Sequence, residues 1–199
     1  MTVTSFRMVD GRVRNLGAHF QRLGLTPDRI RSVRAELRAF GPEPCFPQVT
    51  DTAEVLFRPD RPFTEVIRVD PTPHLDERTQ PTIKGPDLAW LAARHQETQA
   101  KGFDEGVLID EKGLIVEGLF SALIVWRDGP VLSAHPDALP STTAQQLSRL
   151  LPITQDVITV EDLSRPMWLL NAFSGVRTTS ADYPVTEINR RLWALADRV

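Results

Sequence analysis

Three lysines stand among the 23 basic residues of the chain: Lys84, Lys101 and Lys112. Lys84 lies in the run Pro81-Thr82-Ile83-Lys84-Gly85-Pro86, after a proline-rich stretch and just before a predicted helix. Lys101 and Lys112 sit in glycine-adjacent loops, which predicts solvent-facing charge. A lysine amine, unlike a guanidinium, loses its proton when burial lowers its pKa, and can then serve as an imine-forming nucleophile or a general base. A chain-wide preference for arginine would also leave few lysines, so rarity alone gives Lys84 no role. Its neighbours carry more weight.

Glu117 ends the apolar run Leu114-Ile115-Val116 and precedes Gly118. It is either a strand-end charge in water or, if buried, a carboxylate that needs a cation or a shared proton. A protonated pyridine nitrogen would be such a cation. Leu139-Pro140-Ser141-Thr142-Thr143 leads into a predicted helix, and hydroxyls with free N–H groups at a helix start can either cap the helix or hold an anion. His19 and Arg22 are three apart and share a face if the stretch is helical. Arg22 offers a two-pronged fork for phosphate oxygens, although most of the 20 arginines must be surface charge.

The elements that must position these groups divide in two. Pro42, Pro44 and Pro47 follow a first helix, and Pro71, Pro73 and Pro81 mark a break before Lys84, because proline interrupts helices and central strands. Residues 1–80 read as a small α/β unit, with a helix from Pro27, capped by Thr26, to Gly41. Strands are predicted over 54–58 and 64–70. Residues 84–199 read as a larger β-rich unit. It has a helix from Pro86 to Gly102, hairpins over 106–118 and 122–133, a helix over 142–151, strands at 157–160 and 167–170, and a closing helix whose apolar face carries Ile188, Leu192 and Leu195.

At 199 residues, with 41% hydrophobic residues and a net charge of −3, the chain predicts a globular α+β protein without a nucleic-acid role. No apolar run is long enough to span a bilayer and no signal peptide is visible, so a cytoplasmic location is expected. Cys45, alone, predicts a buried small hydrophobe, and the four histidines give no metal-binding pattern.

Taken in order, Ala18-His19-Phe20-Gln21-Arg22-Leu23, Lys84, Gly102-Phe103-Asp104-Glu105, Asp110, Gly113, Glu117, Asp128-Gly129 and Leu139 to Thr143 resemble the class IV aminotransferases, pyridoxal phosphate enzymes of fold type IV. The resemblance implies a small α/β domain, truncated at its start, joined to a barrel-like β domain with peripheral helices, with pyridoxal 5'-phosphate in the cleft between them. Lys84 would carry the cofactor and move protons, and Glu117 would face the ring nitrogen. Arg22, Thr142 and Thr143 would hold the phosphate. Such enzymes are usually homodimers acting on a small-molecule substrate.

Leu170-Asn171-Ala172 resembles the lyase branch, adding Asn171 and Ala172 to the implied cofactor contacts, and Asp87 stands where lyases often carry Asn. The implied reaction is that of 4-amino-4-deoxychorismate lyase in folate biosynthesis, giving 4-aminobenzoate and pyruvate. Two alternatives accompany it: an aminotransferase acting on amino acids, with Arg58, Arg68 and Arg177 as candidate carboxylate clamps, and a relative that binds the cofactor without this activity. The chain departs from the family pattern at Ala122 and in lacking a tyrosine near Lys84. The family's opening strands and glycine-containing turn are also expected to be missing.

Overall fold

The computed structural model describes residues 1–199. Its first residues form β1 (Val3–Ser5), β2 (Met8–Val9) and β3 (Arg12–Val13), then α1 (Leu16–Leu23). Strands β2 and β3 make an antiparallel hairpin across Asp10-Gly11, both at positive φ (51° and 63°), the turn geometry that suits the twist of paired strands. Next comes α2 (Pro27–Phe40), placed as its Thr26 cap and Pro27 predict and stopped at Gly41, whose φ of 98° suits only glycine. β4 (Gln48–Thr50) lies between β1 and β5 (Val55–Leu56). Phe6, Met8, Leu16, Phe20, Val33 and Leu37 make the core of this part, joined by the buried Cys45, whose thiol burial pushes up to about 11.

The strand expected over 64–70 is extended chain that pairs only at isolated points, Val66 with Thr178 and Val69 with Glu105. The Arg68 N–H donates to the Asp104 carboxylate (2.8 Å) instead of to a ladder. β6 (His74–Leu75) then runs parallel to β7 (Val107–Ile109), which pairs antiparallel with β8 (Ile115–Gly118). Between them lies α3 (Leu88–Ala100), starting two residues after Pro86. Lys101 is exposed, as expected, and its amine pairs at 2.9 Å with Asp70, which is buried and so needs a counter-charge.

The main sheet has five strands: β9 (Ala122–Trp126), β10 (Pro130–Ser133), β11 (Thr154–Asp156), β12 (Met167–Asn171) and β13 (Gly175–Thr178), in the order β11-β10-β9-β12-β13. Alternation along β9 and β12 separates two cores. Leu123, Val125, Met167 and Leu169 face one, and Ile124, Trp168 and Leu170 face the other, under α4 (Thr142–Leu147) and α5 (Thr186–Ala194). The barrel-like expectation takes the form of two separate sheets, and no strand ladder closes them into a barrel.

Residues 157–160 are not a strand. Thr159 and Asp162 form a reciprocal cap that winds Val160–Ser164 into a 3-10 turn, and Arg127 clamps Asp162. Helix α4 is shorter than predicted. Leu195 is exposed, because α5 ends at Ala194 and the chain turns into β14 (Asp197–Arg198), which pairs with β3. No helix is long and apolar enough to cross a membrane.

Candidate active site

Lys84 sits on an irregular loop whose shape is set by its neighbours. Asp87, at the start of α3, turns its carboxylate back to accept from the Thr79 N–H (3.0 Å), the Thr79 hydroxyl (2.9 Å) and the Gln80 N–H (2.9 Å). On the other side, the Val3 N–H donates to the Lys84 carbonyl (2.8 Å), stitching the loop to β1. Gly85 is required there: its φ is 146°, and a Cβ would lie 2.3 Å from the Met1 carbonyl oxygen. With the backbone fixed at both ends, the amine is directed inward.

Burial first, and then the Arg22 and Arg58 charges, lower the Lys84 pKa to about 8, with Glu117 acting in the opposite direction. These four groups are therefore electrostatic neighbours. At pH 8 about half of such an amine is neutral, against about 0.3% for an ordinary lysine near 10.5.

Glu117 projects from β8 and is buried, 6% exposed. Its Oε1 accepts from Arg78 Nη1 (2.7 Å) and from the Leu139 N–H (3.0 Å). Burial pushes its pKa up to about 7, against the pull of Arg78 and the Leu139 N–H. Its Oε2 accepts from no donor in the chain. Arg78 escaped the sequence reading, and no local signal marked it: its significance comes from contacts 39 residues away.

The loop from β10 to α4 ties the site together. Its Asp137 carbonyl accepts from Arg78 (3.2 Å), its Leu139 N–H serves Glu117, and its Pro140 carbonyl accepts from Arg22, in the last turn of α1. The same loop delivers Thr142 and Thr143, both buried, to the start of α4. Ser141 caps that helix, accepting from the Ala144 N–H (3.1 Å), so the Thr142 and Thr143 N–H groups keep no acceptor in the chain. Asn15 Nδ2 donates to the Thr142 carbonyl (2.7 Å), locking the start of α1 to the start of α4. His19, buried beneath, bonds Thr4 through Nδ1 (2.6 Å). Burial and the charges of Arg22, Lys84 and Arg14 keep it neutral.

Asn171 ends β12. Its side-chain oxygen accepts from the Phe173 N–H, the Ser174 N–H and the Ser174 hydroxyl, while its nitrogen donates to Ser121. That amide is spent on shaping the turn, so what residues 171 and 172 can offer a ligand is backbone: the Ala172 N–H has no acceptor in the chain. Arg14 braces the turn through the Ala172 and Phe173 carbonyls. Arg14 was also absent from the sequence reading.

Of the three candidate clamps, Arg58 alone acts on Lys84. Arg177 is committed to the buried Glu105, and Arg68 is exposed.

The arrangement can hold a flat, anionic, nitrogen-containing ring that carries an aldehyde. It has a partly neutral amine, a carboxylate with one free oxygen, a guanidinium, and unpaired N–H groups at Thr142, Thr143 and Ala172. Residues 31–181 match the family model of class IV amino-transferases. No curated protein matches the chain in sequence. Among solved structures, one named as a candidate 4-amino-4-deoxychorismate lyase superposes with a TM-score of 0.79 at 20% identity, covering 96% of this chain and 89% of that one. A hypothetical aminotransferase from Mycobacterium tuberculosis in its PLP-bound form gives 0.74 at 17% identity (97% and 87% covered). A fold IV transaminase from Curtobacterium pusillum gives 0.75 at 18% identity (97% and 86%).

Proposed function

Because the chain belongs to the class IV aminotransferase family, a family of pyridoxal phosphate enzymes, we propose that it is a lyase converting 4-amino-4-deoxychorismate to 4-aminobenzoate and pyruvate. The observation that carries the reading is the placing of the half-buried Lys84 within the electrostatic reach of Arg22, Arg58 and Glu117, with its pKa brought to about 8. Pyridoxal phosphate, when bound, supplies an electron sink for the pair left behind as a C–H proton departs.

The residues divide the remaining work. Lys84 would hold the aldehyde carbon through Nζ; once the substrate's amine has displaced it there, the freed amine, neutral in a useful fraction near pH 8, would take the proton from the aminated ring carbon of the substrate. Loss of that proton would allow the ether C–O bond to break: its electron pair leaves with the three-carbon unit as enolpyruvate, which takes up a proton to become pyruvate, while the ring becomes aromatic. Glu117 Oε2, which accepts from no donor in the chain, would receive the ring N–H of the cofactor. Arg22, the N–H groups of Thr142, Thr143 and Ala172, and the Thr143 hydroxyl would hold the phosphate. Asn171 keeps the Ala172 turn in shape.

The lyase is favoured over a transaminase by the fate of the arginines. A transaminase must hold carboxylates in two half-reactions, and of Arg58, Arg68 and Arg177 only Arg58 lies in reach of Lys84's field. The reading carries with it a cytoplasmic homodimer serving folate synthesis, with the cofactor between a unit of residues 1–80 and one of 84–199.

The test is direct. Protein mixed with pyridoxal phosphate and reduced with borohydride should carry the label on Lys84, and 4-amino-4-deoxychorismate should yield 4-aminobenzoate and pyruvate in equal amounts. Conversion of the cofactor to pyridoxamine phosphate by several amino acids, without 4-aminobenzoate, would instead make the protein an aminotransferase. Cofactor capture with neither product would leave a binding protein.

A further inference from the structure

Arg78 is buried, its side chain 4% exposed, and every one of its five N–H donors is used. Nε and Nη2 grip the two oxygens of Asp76 (2.8 and 2.7 Å), and Nη2 also donates to the Asp137 carbonyl (3.2 Å). Nη1 donates to Glu117 Oε1 (2.7 Å) and to the Pro81 carbonyl (3.3 Å). One guanidinium thus joins the loop before Lys84, the loop before α4 and the Glu117 carboxylate. Only the planar fork of arginine can reach these directions at once, which a single ammonium cannot.

We propose that Arg78 is a positioning residue for ring recognition: it occupies Glu117 Oε1, so that Oε2 alone is presented to a ring nitrogen, and it anchors that carboxylate to the loop bearing Lys84. Two physical consequences follow. A carboxylate buried without a cation takes up a proton, and a protonated Glu117 would have lost the negative charge that attracts a pyridinium. Arg78, 2.7 Å from Oε1, favours the anionic form of Glu117. The second is geometric, because with Oε1 bound twice, from Arg78 and from the Leu139 N–H, the carboxylate cannot rotate to offer either oxygen at random.

The inference rests on the cofactor reading above, and its test separates the two. Affinities of pyridoxal phosphate and of its 1-deaza analogue, in which a C–H replaces the ring nitrogen, are measured by equilibrium titration on the wild type and on Arg78→Gln at pH 8. Both ligands offer the same phosphate and aldehyde and differ only where Glu117 acts. The wild type should prefer pyridoxal phosphate, and in Arg78→Gln that preference should shrink at least about tenfold, the loss of one charge-assisted bond. A role in packing alone would weaken both ligands equally and leave the preference intact, which would overturn the proposal.

A wild type that binds both ligands equally would also overturn it, and one that binds neither would remove the cofactor reading itself. Arg78→Gln leaves Asp76 without its partner and is open to misfolding. Arg78→Lys keeps the charge without the fork and should also lose preference, by a smaller factor than Arg78→Gln. An undiminished preference in a folded Arg78→Lys protein counts against the proposal.

Discussion

Asp87 accepts three hydrogen bonds from Thr79 and Gln80, closing in space the loop on which Lys84 is carried. Asp87 stands at the start of α3 yet makes no side-chain cap there; its carboxylate is spent on the Lys84 loop, three positions after the lysine. Asp87→Asn keeps one acceptor oxygen and loses the charge, and should cost about 1 to 2 kcal/mol by thermal or denaturant unfolding.

The same contact gives a pH dependence. Burial would raise the Asp87 pKa, but the Gln80 and Thr79 hydrogen bonds outweigh it and hold the group below its ordinary 3.8. A depressed acid contributes stability that is fully present above the unfolded value and is lost as pH falls through the folded one. The stability gap between wild type and Asp87→Asn should thus be constant from pH 8 to about 5 and close below pH 4. A gap unchanged at pH 3 would show that the charge is not what matters.

For Lys84, capture of pyridoxal phosphate followed by borohydride reduction should rise with pH through a midpoint near 8, as the amine loses its proton. Lys112, exposed, serves as the internal control by peptide mass spectrometry. Lys84→Ala should remove the site-specific label and cost the enzyme about 10² to 10⁴ in turnover, the worth of a positioned proton-transfer group.

Glu117→Gln retains the shape of the side chain and removes its charge. Cofactor should still be captured on Lys84, since the proposed phosphate contacts are untouched, while turnover should fall at least about tenfold through the loss of the electrostatic support proposed at the ring nitrogen. Unchanged turnover would take Glu117 out of the mechanism.

Gly85→Ala tests the seat of the reactive loop. The new Cβ would meet the Met1 carbonyl oxygen at 2.3 Å, and φ of 146° is unfavourable for any L side chain, so the loop must move. A selective fall in Lys84 labelling, with the fold retained by circular dichroism, is the expected result. Full labelling would mean that the loop tolerates displacement.

Much of the framework was legible because it is written in local chemistry. Thr26-Pro27 and Gly41 set α2 to the residue, and Glu111-Lys112-Gly113 set the β7–β8 turn, where Gly113 takes a positive φ of 79° and Asp110 Oδ1 accepts from the N–H groups of Lys112 and Leu114. Asp10-Gly11 was an equally plain hairpin signal and went unread, because its flanking strands are only two residues each. Residues 157–160 look like a strand from their apolar residues, but the Thr159 and Asp162 cap prevails, aided by an arginine more than thirty positions away.

The groups available for chemistry can be read along the chain: a scarce lysine between prolines, a carboxylate at the end of an apolar strand, hydroxyls at a helix start, and an arginine one helical turn from a histidine. Those identities follow from covalent structure and nearest-neighbour geometry. Their states follow from folding. The loss of water around Lys84 and Glu117 drew their pKa values from opposite sides to about 8 and about 7, and the fork of Arg78 left one carboxylate oxygen free. Desolvation and long-range pairing depend on which surfaces meet, and residues 22, 78, 84, 117 and 139 meet only once the chain has closed on itself.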